Sequence, residues 1–168
     1  RRQIRAPWRK PLFVIAPKSL LRAKAAVSTL EEMRPGRSFL PLIAEDGRSK
    51  AVKRLVICSG KIAYALEQAR ADAGLENSVG ILRVEQIYPL PLLGIQKAIA
   101  ENPGAELVWL QEEPANQGAW PFVSQRLAEI EVAKVRLVAR PSLPVTAAGS
   151  VERHEREQAG LLAGALGV

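Results

Sequence analysis

Few residue types that could do chemistry occur among the 168 residues, which include one cysteine and one histidine. The run Cys58-Ser59-Gly60-Lys61 lies between an apolar run typical of a strand and a stretch typical of a helix. A phosphate-binding loop needs a further glycine five residues before Gly60 and a Ser or Thr after the lysine. Those positions hold Leu55 and Ile62. The spacing therefore favours a structural turn.

Cys58 as a nucleophile would need a general base within reach, and the only histidine is His154. Helical spacing places His154 on one face of the last helix with Val151 and Leu161. This pattern favours a packed, hydrogen-bonded histidine and a Cys58 that acts as a small apolar side chain.

Two adjacent carboxylates, Glu112 and Glu113, follow an apolar run that predicts a strand, and Asn116 and Trp120 lie in the same segment. Carboxylates beyond the end of such a strand could do acid–base chemistry if one pKa were raised. They could equally cap the next helix or bind an arginine across an interface. Because no serine, histidine or metal-ligand set adjoins them in sequence, we favour the structural or interface role.

A basic segment surrounds Pro17-Lys18-Ser19-Leu20-Leu21-Arg22, with Arg2, Arg9 and Lys10 upstream. Lysine, a hydroxyl and helix N–H groups after a strand suit a phosphate. A solvated or interdomain basic patch fits equally well.

The net charge of +7 is concentrated in residues 1–54, which carry +10, whereas residues 55–168 carry −3. Three kinds of partner fit this excess: nucleic acid, a phosphorylated ligand, or an acidic surface of another domain. Only 5% of the residues are aromatic and no nucleic-acid-binding signature occurs, so we expect no nucleic-acid partner. No apolar run approaches 18 residues, so we expect no membrane span.

Short apolar, β-branched runs alternate with helical stretches along the chain. The predicted strands cover 12–16, 38–43, 54–58, 79–84, 106–110 and 135–139. The predicted helices cover 17–22, 61–73, 89–100, 117–130 and, after the N-cap Ser150, about 151–166. A polar loop is predicted over 45–50. This alternation predicts an α/β fold with a mostly parallel sheet of five or six strands and helices on both faces.

The chain starts with Arg1-Arg2-Gln3, which is neither a start nor a secretion signal, so we expect a piece of a longer protein. We expect residues 1–11 to end an upstream connection and residues 12–168 to form one domain. The lack of cysteine pairs fits a reducing compartment, the bacterial cytoplasm or the mitochondrial matrix.

Several long motifs resemble one family, the thiamine-diphosphate-dependent 2-oxoglutarate dehydrogenase first component, in its C-terminal domain. They are PLFVIAPKSLLRAKAAVS, VICSGKIAYAL, LRVEQIYPLPL, VWLQEEPANQGAW and the H-x-x-E-Q of His154, Glu157 and Gln158. The resemblance implies a transketolase C-terminal-like fold, a three-layer α/β/α sandwich with a mostly parallel five-stranded sheet and one antiparallel edge strand.

The resemblance also implies that thiamine diphosphate, Mg²⁺ and the catalytic histidines belong to upstream domains. No catalytic, cofactor-binding or metal-binding residue is then expected in this chain, which alone should be inactive. The parent enzyme would decarboxylate 2-oxoglutarate and transfer the succinyl group to the lipoyl arm of the dihydrolipoyl succinyltransferase component. The domain would pack on the thiamine-binding domains and support a homodimer. A free-standing module that binds a CoA ester or nucleotide is the alternative.

The resemblance also implies an activator site, because some members of this family, notably actinobacterial ones, bind acetyl-CoA near the segment that matches the opening basic segment here. The matching residues here are Arg2, Lys10, Lys18, Ser19 and Arg22, although Lys10 replaces an arginine and lacks its bidentate fork. For the substrate, the segment 111–120 resembles 2-oxoglutarate enzymes, whereas the loop 140–145 resembles 2-oxoadipate enzymes. The longer segment favours 2-oxoglutarate.

Overall fold

A computed structural model describes residues 2–44, 52–130, 132 and 134–168. It divides into two compact units, Arg1–Leu40 and Pro41–Val168. The predicted boundary between residues 11 and 12 differs from this division and stays a prediction.

The first unit contains little regular structure. Helix α1 spans Arg2–Arg5, and a 3-10 helix spans Lys18–Arg22. A capping interaction follows, in which the side chain of Glu32 accepts from the backbone N–H of Thr29 at 2.6 Å and from its hydroxyl at 2.9 Å. Most side chains of this unit are exposed.

The second unit is built on a five-stranded sheet in the order β1-β3-β2-β4-β5. Its strands are β1 Leu42–Ala44, β2 Arg54–Cys58, β3 Val79–Val84, β4 Glu106–Pro114 and β5 Val135–Arg140. Its helices are α2 Ile62–Asp72, α3 Leu92–Ala100, α4 Trp120–Ala128 and α5 Val151–Leu166. Only β1 runs antiparallel to its neighbour, β3.

Both faces of this sheet are covered by helices. Because alternate residues of each strand point to opposite faces, each strand contributes side chains to both layers of the core. On one face Val56 and Val108 pack in a cluster with the apolar residues of α2 and α5. On the other face Ile57 and Trp109 pack in a second cluster with α3 and α4. The central residues of β2, β3 and β4 are apolar for this reason. The predicted three-layer arrangement with one antiparallel edge strand is confirmed.

The last helix starts and stops where the sequence indicates. The backbone N–H of Arg153 donates to the Ser150 hydroxyl at 3.3 Å, which confirms the predicted N-cap. At the other end Gly167 adopts φ +82°, and its N–H donates to the Ala163 carbonyl at 2.7 Å. A left-handed glycine is the common way to end a helix.

Three sequence predictions differ from the structure. The strand predicted over 12–16 is wrong, because this segment has no regular secondary structure and residues 2–40 contain no other strand for it to pair with. The strand predicted over 38–43 is confirmed only at its end, in β1. The helix predicted from residue 117 begins at Trp120, because β4 continues to Pro114 and a turn with Gly118 at φ +69° follows.

The strand predicted over 106–110 is four residues longer and ends at Pro114. The remaining predicted elements agree with the structure to within about three residues at their ends. The helix predicted over 17–22 is a 3-10 helix, and the polar loop predicted over 45–50 lies outside the described residues. Among the described helices, none combines the length and the apolar character that a bilayer crossing requires.

Candidate functional site

Polar side chains gather where β4 and β5 end and the next loops begin. In sheets of parallel strands, ligands bind beyond the carboxyl ends of the strands, so this end of the sheet is the natural candidate site. The loops concerned are 115–119, after β4, and 141–149, after β5.

Gln111 lies near the end of β4 and holds the first loop in place. It is 4% exposed, and its Oε1 accepts from Trp109 Nε1 at 3.1 Å and from the backbone N–H of Trp120 at 3.0 Å. Its Nε2 donates to the carbonyls of Gln117 at 2.8 Å and Pro114 at 3.1 Å. One buried amide therefore fixes the end of β4, the turn and the start of α4.

The two loops are joined by side-chain amides. Asn116 Nδ2 donates to the Leu143 carbonyl at 3.1 Å, and the Leu143 N–H donates back to Asn116 Oδ1 at 3.1 Å. Gln117 Nε2 donates to the same carbonyl at 2.8 Å. Since Gln111 holds Gln117 in turn, the two loops form one connected surface.

The predicted carboxylates have different surroundings. Glu112 is ion-paired with Lys61, which follows β2. The pair joins β4 to the turn after β2. These two strands lie where the strand order of the sheet reverses, because β3 and β4 lie on opposite sides of β2. Such a reversal is where ligands bind in open sheets, and here the ion pair spans it. Glu113 is exposed and lies beside Gly118.

His154 accepts a hydrogen bond. Arg140 Nη2 lies 2.9 Å from His154 Nδ1, and because a guanidinium can only donate, Nδ1 is the acceptor. Arg140, 6% exposed, also forms an ion pair with Glu157 Oε2 at 3.1 Å. A hydrogen bond from Arg153 Nε at 2.6 Å lowers the pKa of Glu157. The histidine is therefore held by its neighbours, as the sequence favours.

Cys58 is fully buried in the core. Burial raises the pKa of its thiol to about 12, so the thiolate that a nucleophile needs is not formed at neutral pH. The turn after it contains Gly60 at φ +80°, and the Lys61 side chain is engaged with Glu112. Both observations favour the structural turn over a phosphate loop.

The side chains at the carboxyl ends of β4 and β5 are chemically suited to holding the following loops in place. Within the described ranges, no group of three His, Cys, Asp or Glu side chains could hold a metal ion. Glu112 and Glu157 each face a cation. Sequence reasoning did not single out Gln111 or Arg140, although a polar residue at the end of an apolar strand run is a usable signal for both. It considered Lys61 only as part of a phosphate loop and did not foresee its ion pair with Glu112.

The predicted effector residues lie in the first unit. Lys10, Lys18, Ser19 and Arg22 are exposed, and Arg2 belongs to α1. An open groove of about 400 Å³ is lined by Gln3, Ile4, Trp8, Arg9, Lys10 and Pro11. Lys18, Ser19 and Arg22 lie on the 3-10 helix and outside that lining. The described geometry thus places one predicted effector residue, Lys10, in the groove.

The sequence matches the model of one protein family, 2-oxoglutarate dehydrogenase C-terminal, over residues 27–166. The chain belongs to the 2-oxoglutarate dehydrogenase C-terminal family. The resemblance that the sequence motifs indicated is therefore confirmed.

Members of two enzyme groups are similar to this family member. It is 44% identical over 161 residues to a 2-oxoadipate dehydrogenase complex component E1 of Xenopus laevis, covering 94% of this chain and 17% of the relative. The Homo sapiens protein of the same name is 45% identical over 162 residues, covering 94% and 18%. A 2-oxoglutarate dehydrogenase E1 component of Brucella abortus (strain S19) is 39% identical over 184 residues, covering 99% and 18%. The chain spans less than a fifth of these relatives' length.

A solved structure shares the fold. "Split gene transketolase, inactive beta4 tetramer" superposes with a TM-score of 0.54 at 16% identity, over 80% of this chain and 44% of that one. At this identity the likeness concerns the fold alone, and it confirms the predicted transketolase-like architecture of this 2-oxoglutarate dehydrogenase C-terminal domain.

Proposed function

We propose that this chain is the C-terminal part of the decarboxylating component of a 2-oxoglutarate dehydrogenase. The family match over residues 27–166 carries the proposal. The relatives are more than five times longer than the chain, and their names state the activity of whole enzymes. The chain's own role is then to pack against the rest of the enzyme through the connected loops after β4 and β5.

The whole enzyme would decarboxylate 2-oxoglutarate and transfer the succinyl group to the lipoyl arm of a dihydrolipoyl succinyltransferase. Thiamine diphosphate with Mg²⁺ supplies the chemistry of the decarboxylation in this family. The described residues do not fit that group, because they provide no metal-type cluster and the partly buried carboxylates Glu112 and Glu157 face cations. Both would be bound by parts of the enzyme outside this chain, in the bacterial cytoplasm or the mitochondrial matrix.

The same part of a 2-oxoadipate dehydrogenase is the second candidate. It is favoured by the higher identity to 2-oxoadipate enzymes, 44–45% against 39%. The long match of segment 111–120 and the coverage of 99% by the Brucella abortus relative favour 2-oxoglutarate.

The experiment is an intact mass and an activity assay on the protein expressed from its native gene. A mass several times 18.3 kDa, with higher kcat/KM for 2-oxoglutarate than for 2-oxoadipate, is the expected result. The reverse preference would establish the second candidate. A mass near 18.3 kDa would contradict both and favour a separate module that binds a CoA ester or nucleotide.

The loops after β4 and β5 are proposed to contact the rest of a homodimeric enzyme. Glu113 and Asn116 are exposed at this surface. Glu112, Trp120 and His154 instead make contacts within the domain, to Lys61, Gln111 and Arg140 respectively. The buried Gln111 and Arg140 make this surface rigid, which lowers the entropy lost when it is covered.

Activation by acetyl-CoA is proposed for the basic residues of the first unit, Arg2, Lys10, Lys18, Ser19 and Arg22. Lys10, Lys18, Ser19 and Arg22 are exposed, so their charges and hydroxyl can reach phosphate oxygens. In the full-length enzyme, Lys18→Ala combined with Arg22→Ala should abolish activation and leave basal turnover nearly unchanged, as measured by initial rates with and without acetyl-CoA. Lys24→Ala, at an exposed lysine nearby in sequence, is the matched control. Unchanged activation in the double variant would contradict the assignment.

A further inference from the structure

The loop 141–149 is joined at its base by one pair of side chains. Arg140 ends β5 and His154 lies in the first turn of α5, so the pair connects the residue before the loop to the helix after it. Arg140 Nη2 lies 2.9 Å from His154 Nδ1. Histidine is the side chain whose charge ordinarily changes near neutral pH, so the contact that closes this loop contains a titratable group.

This hydrogen bond requires the neutral form of the imidazole. A guanidinium carries N–H groups and no acceptor, so Arg140 can only donate. Once Nδ1 carries a proton it is a donor too, and two positively charged donors then face each other. The contact is therefore compatible with only one protonation state of His154.

Arg140 is too deeply buried to move away easily when the contact is lost. Its exposed fraction is 6%, so its charge reaches water only if the surrounding structure opens. Its backbone carbonyl also accepts from the Ala115 N–H at 2.9 Å, in the loop after β4. A displacement of Arg140 would therefore disturb the loops after both strands.

Acceptors for a protonated His154 lie on its own helix. Residues three and four positions further along a helix share its face, and here they are Glu157 and Gln158. A hydrogen bond from Arg153 lowers the pKa of Glu157, which is therefore ionised over the range in which a histidine titrates. Among the described residues, none donates a hydrogen bond to the buried Gln158 Oε1. A protonated His154 thus has acceptors on α5 in place of Arg140.

The elements that pack against α5 are β4, β5 and α2. Apart from Arg140, their charged side chains near this layer have partners other than His154. These are Glu112 with Lys61, Glu67 with Arg83, Arg70 with the Val79 carbonyl, Asp72 with Gln68, and Glu106 with Arg54 and Arg136. On α5 itself Glu152, Glu155 and Arg156 are exposed, and Arg153 is paired with Glu157. Protonation of His154 therefore acts first on its contact with Arg140.

We propose that Arg140 and His154 form a pH-sensitive switch, which holds the base of loop 141–149 closed when His154 is neutral and opens it when His154 is protonated. A free imidazole gains its proton below about pH 6.5. The contact therefore stabilises the closed loop above about pH 6.5, and this contribution is lost as the pH falls. Where the loops contact the rest of the enzyme, which rests on the proposed function, the switch makes that contact pH-sensitive.

Amide hydrogen exchange on the protein expressed from its native gene tests the switch. The wild type is compared at equal pH with His154→Asn, whose Oδ1 stands in for Nδ1 as an acceptor and does not titrate. Exchange over residues 142–155 should be equal in the two proteins at about pH 8. At about pH 5.5 it should be about 10-fold faster in the wild type, because a free imidazole is then protonated about ten to one. Equal rates at both pH values would overturn the switch.

A second variant removes the acceptor without adding a charge. His154→Leu should exchange rapidly over residues 142–155 at both pH values. A leucine variant as protected as the wild type at pH 8 would show that the ion pair of Arg140 with Glu157 holds the loop alone, and would overturn the role of His154.

Strand β2 is the internal control, because Val56 and Ile57 are fully buried in the core. Its exchange in the wild type should stay slow while that of the loop rises, a reading that needs no variant. Equal acceleration of β2 and the loop would mean that acid unfolds the whole unit, and would overturn a local switch.

Failure of the proposed function is read separately on the same sample. Loop exchange that depends on His154, in a protein that decarboxylates neither 2-oxo acid, would keep the switch and reject the activity. Loop exchange that is independent of His154, in an active 2-oxoglutarate enzyme, would keep the activity and reject the switch.

Discussion

The two ends of the central sheet are held together by different physical means. At the carboxyl end, Gln111 is buried and neutral and uses both ends of its amide. At the amino end, Glu106 has a side chain 41% exposed and accepts from Arg54 Nε at 2.7 Å and Arg136 Nε at 2.6 Å. Contacts at both ends join the strands to a helix. Those at the carboxyl end are shielded from water, whereas those at the amino end are exposed to it.

The arginines at the amino end also hold the last helix. Arg54 Nη1 donates to the Ala165 carbonyl at 3.2 Å, and Arg136 Nη2 donates to the Gly164 carbonyl at 3.1 Å. Cations favour the carbonyl end of a helix. Glu106 accepts from both arginines, and their hydrogen bonds to the helix carbonyls use other nitrogen atoms.

This difference predicts where substitutions lower the free energy of unfolding most. Removing one partner inside a dry site leaves the other buried and unpaired, at about 1–3 kcal/mol per group. In water, a released charge is hydrated, and exposed ion pairs contribute roughly 0–1 kcal/mol. The carboxyl end should therefore be far more sensitive than the amino end.

The largest effect is expected for Gln111→Leu. Trp109 Nε1 and the Trp120 N–H would lose their acceptor, and Trp109 is fully buried. We expect a loss of about 3 kcal/mol in the free energy of unfolding, measured by urea denaturation.

Two controls sharpen this prediction. Gln125→Leu, the same change on the exposed side of α4, should shift stability by less than about 0.5 kcal/mol. Adding Trp109→Phe to Gln111→Leu removes one of the orphaned donors. The pair should therefore cost less than the sum of the single changes. Additive costs would contradict the proposed hydrogen-bonding role.

A smaller effect at the same end is expected for Gly118→Ala. Gly118 has φ +69°, and an added Cβ would lie 2.9 Å from the Glu113 Cβ. We expect a loss of roughly 1–2 kcal/mol. Gly160→Ala in α5, where a Cβ meets nothing within 4 Å, should instead stabilise by up to about 1 kcal/mol. A Gly118→Ala protein as stable as the wild type would show that the turn relaxes freely.

The smallest effect is expected at the amino end, for Glu106→Gln. The hydrogen bond from Arg136 lowers the pKa of Glu106, and the Arg54 pair acts in the same direction. The carboxylate therefore stabilises the fold above its ordinary pKa of 4.5, and this contribution is lost as the pH falls through the lowered folded-state pKa. Because the side chain is well exposed, solvent screening keeps the loss at neutral pH below about 1 kcal/mol.

The measurement is urea denaturation of wild type and Glu106→Gln between pH 7 and pH 3. The difference between the two proteins should shrink towards acid pH and in high salt. A difference above that of Gln111→Leu, or one that grows towards acid pH, would reverse the comparison of the two ends.

Much of the second unit could be predicted from residue patterns. The apolar runs at β2, β3 and β4 alternate with amphipathic stretches, and buried parallel strands have this composition because both of their faces are covered. Ser150 predicted the start of α5 by a local rule, since its hydroxyl caps an N–H three residues away. The family motifs added the antiparallel edge strand, which alternation by itself could not supply.

The candidate site was less predictable because its contacts join distant parts of the chain. Glu112 and Asn116 were singled out from sequence, but their partners Lys61 and Leu143 lie 51 and 27 residues away. The run Leu12–Ala16 shows the opposite case. Its residue types predict a strand, and no strand forms where residues 2–40 offer no neighbour.

By itself, then, the sequence determined the alternation of strands and helices, the N-cap of α5 and the family, because these depend on residue types close together in the chain. Only the tertiary structure decided the strand order, the ion pair between Lys61 and Glu112 where that order reverses, and the burial of Gln111. These depend on which distant segments meet and on whether water reaches them, and a buried hydrogen bond is strong only where water is excluded.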